Sequence, residues 1–574
     1  MPENHHGEPI ALSVCKSAPS PDSCSSTSTG YANGQLRIIT NSSDQLRMTE
    51  LDTRSSRSSF EHSPDDRRQI GIFTASFLIF NRIIGTGIFA TPSAILALTG
   101  SVGMSLIIWL IGTLIAMAGT AVYLEFGTAI PRNGGEKNYL EYVYTRPRFL
   151  ATAMFASYAL LLGWAAGNSV IFGEYILHAA GIEANRWNQR GIGFGCITIA
   201  FIIHATALKW GLHLQNVLGI LKLLVACLII IGGLVAGSGH LKTKNPDNFS
   251  GAFKDSKVSV YGVVTALYSV IWSYIGYSNA NYSLSETRNP ARTLKIAAPV
   301  AVLLVGFLYM CVNLAYFAAV PRDEILGSGR ILAASFFRNV FGPKAERAMS
   351  VFVALSAFGN VLSVMFSQGR IIQELGREGV LPFSKFWASN KPFNSPAAGL
   401  LQHYFLSTVV MLAPPPGDAY NFLLNVIAYP LSVVNIFVAA GLIHIYWYPK
   451  KYPLWSPGIR ATQPVAILFF LSNLFLAVAP YLPPPDETHN VYNHLPYYSH
   501  CVVGTGVFTT GALYWVVWAV VMPWMGKYRL AQQTVIAEDG WSRTVITRIP
   551  TNTTTGSNAV GNGWAAKLLS RFLS

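Results

Sequence analysis

NRIIGTGIFATP, Asn81 to Pro92, lies inside an apolar stretch long enough to cross a bilayer. A glycine in a helix interior costs about 1 kcal/mol, and a charged group in hydrocarbon costs more. This segment carries Arg82 and then Gly85-Thr86-Gly87. Either the small residues let two helices pack closely, or the helix comes apart here.

The rest of the chain says what kind of protein spends residues this way. Of its 574 residues 51% are apolar and 12% charged, about half the charged share of an ordinary soluble chain. Long apolar stretches recur from Ile70 to Trp524, so the chain reads as an all-α polytopic membrane protein. Continuous apolar runs, with no ten-residue alternation, argue against a barrel. The net charge of +14 is spread over short loops, which points to membrane topology and away from nucleic acid. The six cysteines show no paired spacing, so neither a disulfide framework nor a metal site is expected, and no cofactor.

Twelve spans are expected: 70–98, 103–129, 149–180, 191–207, 211–237, 259–283, 293–320, 346–372, 397–413, 419–447, 463–482 and 498–525. The even count puts both tails on one side. Arg67, Arg68, Arg132, Lys137, Arg146 and Arg148 lie there, as do Arg288, Lys385, Lys450 and Lys527. The connections 99–102, 414–418 and 483–497 hold no Lys or Arg. Both tails therefore read as cytoplasmic. Residues 1–69 are polar and Ser-rich and read as a disordered tail, 70–525 as the membrane domain and 526–574 as a second cytoplasmic tail. The sequon Asn248-Phe249-Ser250 falls on the outer side, where a glycan is an option.

Span 6 carries a second interruption, at Ile275-Gly276-Tyr277-Ser278-Asn279. The two breaks occupy matching places, since spans 1 and 6 open five-helix units 1–5 and 6–10. Paired breaks of this kind mark an inverted-repeat transporter with its site at the midplane. An unwound turn frees amides that suit a carboxylate and carbonyls that suit an ammonium. Two such turns side by side fit a zwitterion, an α-amino acid.

Four stretches carry a family resemblance: GTGIFATP at 85–92, YLEFGTAIPRNGGEKNYL at 123–140, SYIGYSN with SETRNPARTL at 273–294, and RIIQELGREGVLP at 370–382. They resemble the L-type amino-acid transporters of the amino acid–polyamine–organocation superfamily. Within that group the chain is similar to the fungal high-affinity methionine permeases, and AEDGWSRTVITR at 537–548 looks like that branch too. The resemblance covers about residues 65–550. It implies a LeuT-like 5+5 inverted repeat with two added helices, at the plasma membrane. It implies that the amides of Thr86, Gly87 and Ile88 meet the substrate carboxylate, with Gly85 opening the turn. The carbonyls of Ile83, Trp272 and Ile275 would take the ammonium, Trp272 would be an aromatic gate, and Asn425 would stand near the pocket. The chain departs from the family at Ile275, usually glycine ahead of Gly276, and at Tyr277, usually tryptophan. Those departures bear on side-chain selectivity.

Lys222 falls in the apolar part of span 5. Either it snorkels from the helix end, or it is paired or neutral inside. In members of the resembling family that do not need sodium, a lysine at this place fills a sodium site against span 1. The resemblance thus implies a Lys222 contact with the carbonyl end of span 1 and a proton as coupling ion. Arg82 either snorkels or pairs with Glu286 or Glu125 as an inner gate. His204, His213, His403 and His444 are scattered and read as ordinary helix residues.

The leading function is import of methionine, whose flexible thioether suits an apolar, aromatic pocket. A broader neutral amino acid exchanger and a nutrient receptor without net transport are the alternatives. An enzyme is not expected, since no clustered His, Asp or Cys set is in view. A disulfide-linked heavy chain would need a cysteine in the loop GIEANRWNQR at 181–190, which has none. Similar fungal permeases suggest ubiquitin ligase adaptors acting on tail lysines such as Lys16, Lys527 and Lys567. Residues 562–574 suggest a short amphipathic helix on the membrane surface.

Overall fold

The structure, a computed structural model, describes residues 30–32, 35–37 and 71–550 apart from 133, 240, 242–245, 257–258, 416–417, 485–489 and 537–541. The chain falls into two units, Met1–Ser59 and Phe60–Ser574. In the first, Gly30–Ala32 pairs antiparallel with Gln35–Arg37. Lys16, Lys567 and the expected helix at 562–574 lie outside the described residues.

The second unit is a helical bundle, and each expected span finds a helix. Among the described residues nine helices are long and apolar enough to cross a membrane, from Ile72–Ala90 to Ser499–Met525. Arg186–Thr206 fills the place of span 4, and the shorter Val260–Tyr274 and Ala397–Leu412 fill those of spans 6 and 9. The chain is thus an all-α polytopic membrane protein. Helix starts follow local chemistry. Ser101 and Ser259 cap the amides of Met104 and Gly262, Asn185 and Asn188 form a reciprocal capping box, and Pro290 and Pro343 open spans 7 and 8.

Span 5 (Leu208–Gly237) shows how lipid and core divide a helix. Gln215, Leu218, Gly219, Lys222, Val225, Ala226 and Ile229 are buried, at helical spacing. Leu224, Ile231 and Leu234 are exposed, as lipid-facing residues would be. Lys222 belongs to the buried stripe and does not snorkel.

Span 1 breaks as expected: Ile72–Ile83 ends, residues 84–86 turn, and Gly87–Ala90 leads into Pro92–Thr99. Span 6 breaks likewise after Tyr274, with Gly276 at φ 125, and continues as a 3-10 helix over Asn279–Glu286. A third break was not expected. Span 3 divides into Leu150–Leu161 and Ala166–Ala180, with Gly163 at φ 85 between them. A Cβ there would fall 2.3 Å from Gln368 Nε2, so span 8 fills the space a side chain would need.

Two further sequence expectations give way to tertiary contacts. The Asn248 amide donates to Phe317 O (2.8 Å) and Val320 O (2.7 Å), which commits the nitrogen a glycan would modify. Part of the second tail packs onto the bundle. Tyr528–Ile536 and Ser542–Pro550 form an antiparallel hairpin, and Ile546 N–H donates to Glu378 O at 2.8 Å. Leu530 and Ile546 pack against the cluster holding Ile372, Leu375 and Trp518. The alternating pattern of the strands suits that half-buried position. The end of the bundle carrying this hairpin and Glu378 is called the tail side below.

Candidate substrate site

One cavity is walled by both breaks. Ile83, Gly85, Thr86 and Gly87 line it from span 1, and Trp272, Ser273, Ile275, Gly276 and Tyr277 from span 6. Span 3 adds Phe155, Tyr158, Leu162, Trp164 and Asn168; span 8 adds Asn360, Val364 and Gln368; span 10 adds Ile427. The lining continues to Glu136 and Tyr282 on the tail side.

The break in span 1 leaves polar backbone without partners. Ile84 N–H still bonds to Phe80 O at 3.0 Å, and Phe89 and Ala90 donate to Thr86 O. The amides of Gly85, Thr86, Gly87 and Ile88 find no backbone acceptor among the described residues. Buried amides seldom stay unpaired, so they call for an external acceptor. A carboxylate fits, favoured by the dipole of the helical turn that follows. The Ile88 side chain is 1% exposed and packs into the core, so this residue offers its amide and not its side chain. Thr86 Oγ1 donates to Asn168 Oδ1 at 2.7 Å, which ties the turn to span 3.

The carbonyls fall into two sets. Ile83 O and Ser273 O both accept from the Tyr309 hydroxyl of span 7, at 3.1 and 2.9 Å. Trp272 O accepts from Ile275 N–H at 3.2 Å, so one of its lone pairs is used. Ile275 O receives no backbone donor among the described residues. Tyr309 thus joins the two breaks with one hydroxyl. Sequence reading missed it because it looks like one more aromatic on an apolar span. Replacing Tyr309 with Phe removes the single proton that the two buried carbonyls share, a loss of about 1–3 kcal/mol. The expected result is a roughly tenfold fall in substrate affinity, read as a raised KM in uptake at unchanged surface level.

The other predicted site residues divide. Trp272 lines the cavity, with Gly167 against it: a Cβ on Gly167 would lie 3.5 Å from its ring. Tyr277 meets Tyr123 edge-on at 5.6 Å. Asn425 is not in the lining. Its Nδ2 donates to Tyr492 OH at 2.8 Å and so holds the loop before span 12. Lys222 Nζ is 3.2 Å from both the carbonyl and the Oδ1 of Asn81, at the C-terminal end of the first half of span 1. The lysine is fully buried.

Of the two carboxylates expected as partners of Arg82, one is engaged elsewhere. Glu125 accepts from Tyr446 OH, Trp455 Nε1 (3.0 Å) and Ala461 N–H (2.7 Å), so it fastens the loop after span 10 and does not meet Arg82. Arg82 donates from Nη1 to Asn360 Oδ1 at 3.1 Å. Glu286 ends the 3-10 turn of span 6, and its side chain lies outside the described residues. On the tail side Lys137 is ion-paired with Glu378 and, at 3.5 Å, with Glu141. Burial works against the Lys137 charge, but Glu141 and Glu378 outweigh it and hold the ammonium above its ordinary range. Burial pushes the Glu136 carboxyl up, although Tyr282 OH donates to it at 2.8 Å. At the opposite end Arg330 pairs with Glu174 at 2.8 Å and lies 5.7 Å from the Tyr420 ring centre. No His, Cys, Asp and Glu group able to hold a metal occurs among the described residues.

Comparison with known proteins agrees with this architecture. Residues 70–508 match the family described as Amino acid permease. The chain is 51% identical over 485 residues to the High-affinity methionine permease of Saccharomyces cerevisiae, covering 84% of each chain. It is 32% identical to the Low-affinity methionine permease of the same yeast, over 82% of this chain and 86% of that one. It is 29% identical to the b(0,+)-type amino acid transporter 1 of Mus musculus, over 77% and 88%. The chain therefore belongs to the amino acid permease family, whose members are transporters and not enzymes.

Proposed function

We propose that this permease imports methionine across the plasma membrane by proton symport, with alternating access about the cavity between spans 1 and 6. The observation that carries the reading is the pair of breaks facing one cavity. Unpaired amides of Gly85 to Ile88 stand for a carboxylate, and the carbonyls of Ile83, Trp272 and Ile275 stand for an ammonium. The remaining wall is apolar and aromatic, with Phe155, Leu162, Trp164, Val364 and Ile427, which suits a thioether chain. Similarity to two proteins named as methionine permeases supports that substrate over other neutral amino acids. The Lys222 ammonium against Asn81 O supplies a fixed cation where a coupling metal ion would otherwise sit, which favours the proton. Both tails are assigned to the cytoplasm from the basic loops, with 1–69 and 526–574 as the segments open to ubiquitin ligase adaptors. The loop 181–190 offers no cysteine to a heavy chain.

The test is uptake of radiolabelled methionine, competed by leucine, cysteine and polyamines, at two external pH values. Saturable uptake that rises on acidification and is blocked best by unlabelled methionine is expected. Uptake that runs only against a preloaded amino acid favours the exchanger. Binding without counterflow in proteoliposomes favours the receptor.

A further inference from the structure

We propose that Arg82 sets the charge class of the substrate: its guanidinium makes the cavity turn away amino acids with a cationic side chain. This rests on the reading that the cavity is the transport site. Arg82 stands in the last turn before the break in span 1 and lines the cavity. It is half-buried, with its open side toward the cavity. Its stem is clamped from span 6, since a Cβ on Gly276 would fall 2.4 Å from Arg82 Cγ and 3.1 Å from its backbone carbon. Its head is held by Asn360 Oδ1, a neutral acceptor, at 3.1 Å.

Among the described residues Arg82 has no ion pair. Lys222, the other cation near the break, bonds to the neutral carbonyl and amide oxygens of Asn81. The acid among the described lining residues is Glu136, toward the tail side, where it accepts from Tyr282 OH. The cavity wall at the breaks therefore carries the Arg82 guanidinium, with no carboxylate of the described residues paired to it.

A zwitterion tolerates this field because its ammonium travels with its own carboxylate, and the two charges largely cancel at a distance. A further ammonium or guanidinium on the substrate side chain has no such companion. In a protein interior of effective dielectric about 20, like charges within one cavity repel strongly enough to weaken binding by tenfold or more. The ligand class is thus amino acids with neutral or anionic side chains.

The experiment compares lysine with norleucine as inhibitors of labelled methionine uptake. Both carry a straight four-carbon chain, ending in an ammonium in one and a methyl in the other. The ratio of the two inhibition constants isolates the charge and is independent of how much protein reaches the membrane. Arg82→Gln is expected to lower the lysine-to-norleucine ratio at least tenfold. Asn360→Asp, which seats a carboxylate on the guanidinium with little change of shape, is expected to lower it as well. Arg82→Lys keeps the charge and is expected to keep the ratio high. An unchanged ratio in both Arg82→Gln and Asn360→Asp overturns the proposal, as does a ratio that falls equally in Arg82→Lys. If a variant no longer transports, displacement of labelled methionine from the purified protein yields the same ratio. A parent protein that neither takes up nor binds methionine or norleucine would instead bring down the transport reading.

Discussion

Lys222→Met is expected to abolish concentrative methionine uptake while leaving the protein folded and at the membrane. The lysine is fully buried, and its ammonium reaches Asn81 O and Asn81 Oδ1, each at 3.2 Å. Asn81 O belongs to the last turn before the break, so no helical amide follows to take it. Asn81 Nδ2 donates to Gln215 O at 3.3 Å, which fastens the same turn to span 5. Methionine nearly matches the lysine stem in length and volume, so the packing against Gly359, whose Cβ would lie 3.4 Å from Lys222 Cε, survives. What goes is the charge and the donor. Leaving Asn81 O without its partner costs about 1–3 kcal/mol in the conformation that holds the break. Removing the one buried ammonium of span 5 also removes the cation that stands at the end of the first half of span 1. Together these predict a loss of at least about a hundredfold in uptake, close to 3 kcal/mol at the transition state. Uptake at two external pH values, with surface level followed by fluorescence, checks it. PH-dependent uptake that persists at the parental rate would remove Lys222 from the coupling.

Gly87→Ala is the second large effect. A Cβ at Gly87 would lie 2.2 Å from Ser273 Oγ, 2.7 Å from Ser273 Cβ and 2.8 Å from Ser273 Cα. The hydroxyl could turn aside, but the α-carbon of span 6 cannot move without moving the break. Ser273 O and Ile83 O share the Tyr309 hydroxyl, so pushing the spans apart also strains that bridge. Overpacking of this kind costs about 1–3 kcal/mol, and here it acts on the distance between the two sets of backbone groups proposed to hold the substrate. Uptake per molecule at the surface is expected to fall about a hundredfold, by the geometric sensitivity of a preorganised site. Gly167→Ala is the contrast: its Cβ would meet the Trp272 ring at 3.5 Å, an ordinary contact. Uptake within about twofold of the parent is expected there, since volume is added without overlap. Equal uptake by the two variants would show that the approach of spans 1 and 6 is not what the glycine serves.

The amino-acid sequence by itself determined the count of membrane helices and where two of them break. Twelve apolar stretches, the glycines at 85, 87 and 276 and the lone Lys222 are local signals. Each is costly in lipid wherever its neighbours lie, so each can be read without knowing them. The free backbone groups were legible for the same reason, because an unwound turn frees its amides whatever surrounds it. Tertiary structure decided everything that depends on a partner far along the chain. Arg82 takes Asn360, 278 residues away, while Glu125 is committed to Tyr446, Trp455 and Ala461. Asn425 takes Tyr492, 67 residues away. Tyr309 reaches Ile83, 226 residues away, and makes one unit of two breaks. The break in span 3 needs glycine at 163, because Gln368 occupies the space beside it. A side chain carries its hydrogen-bonding capacity in the sequence, but only the lateral packing of the spans says which of several competing groups comes within 3 Å of it.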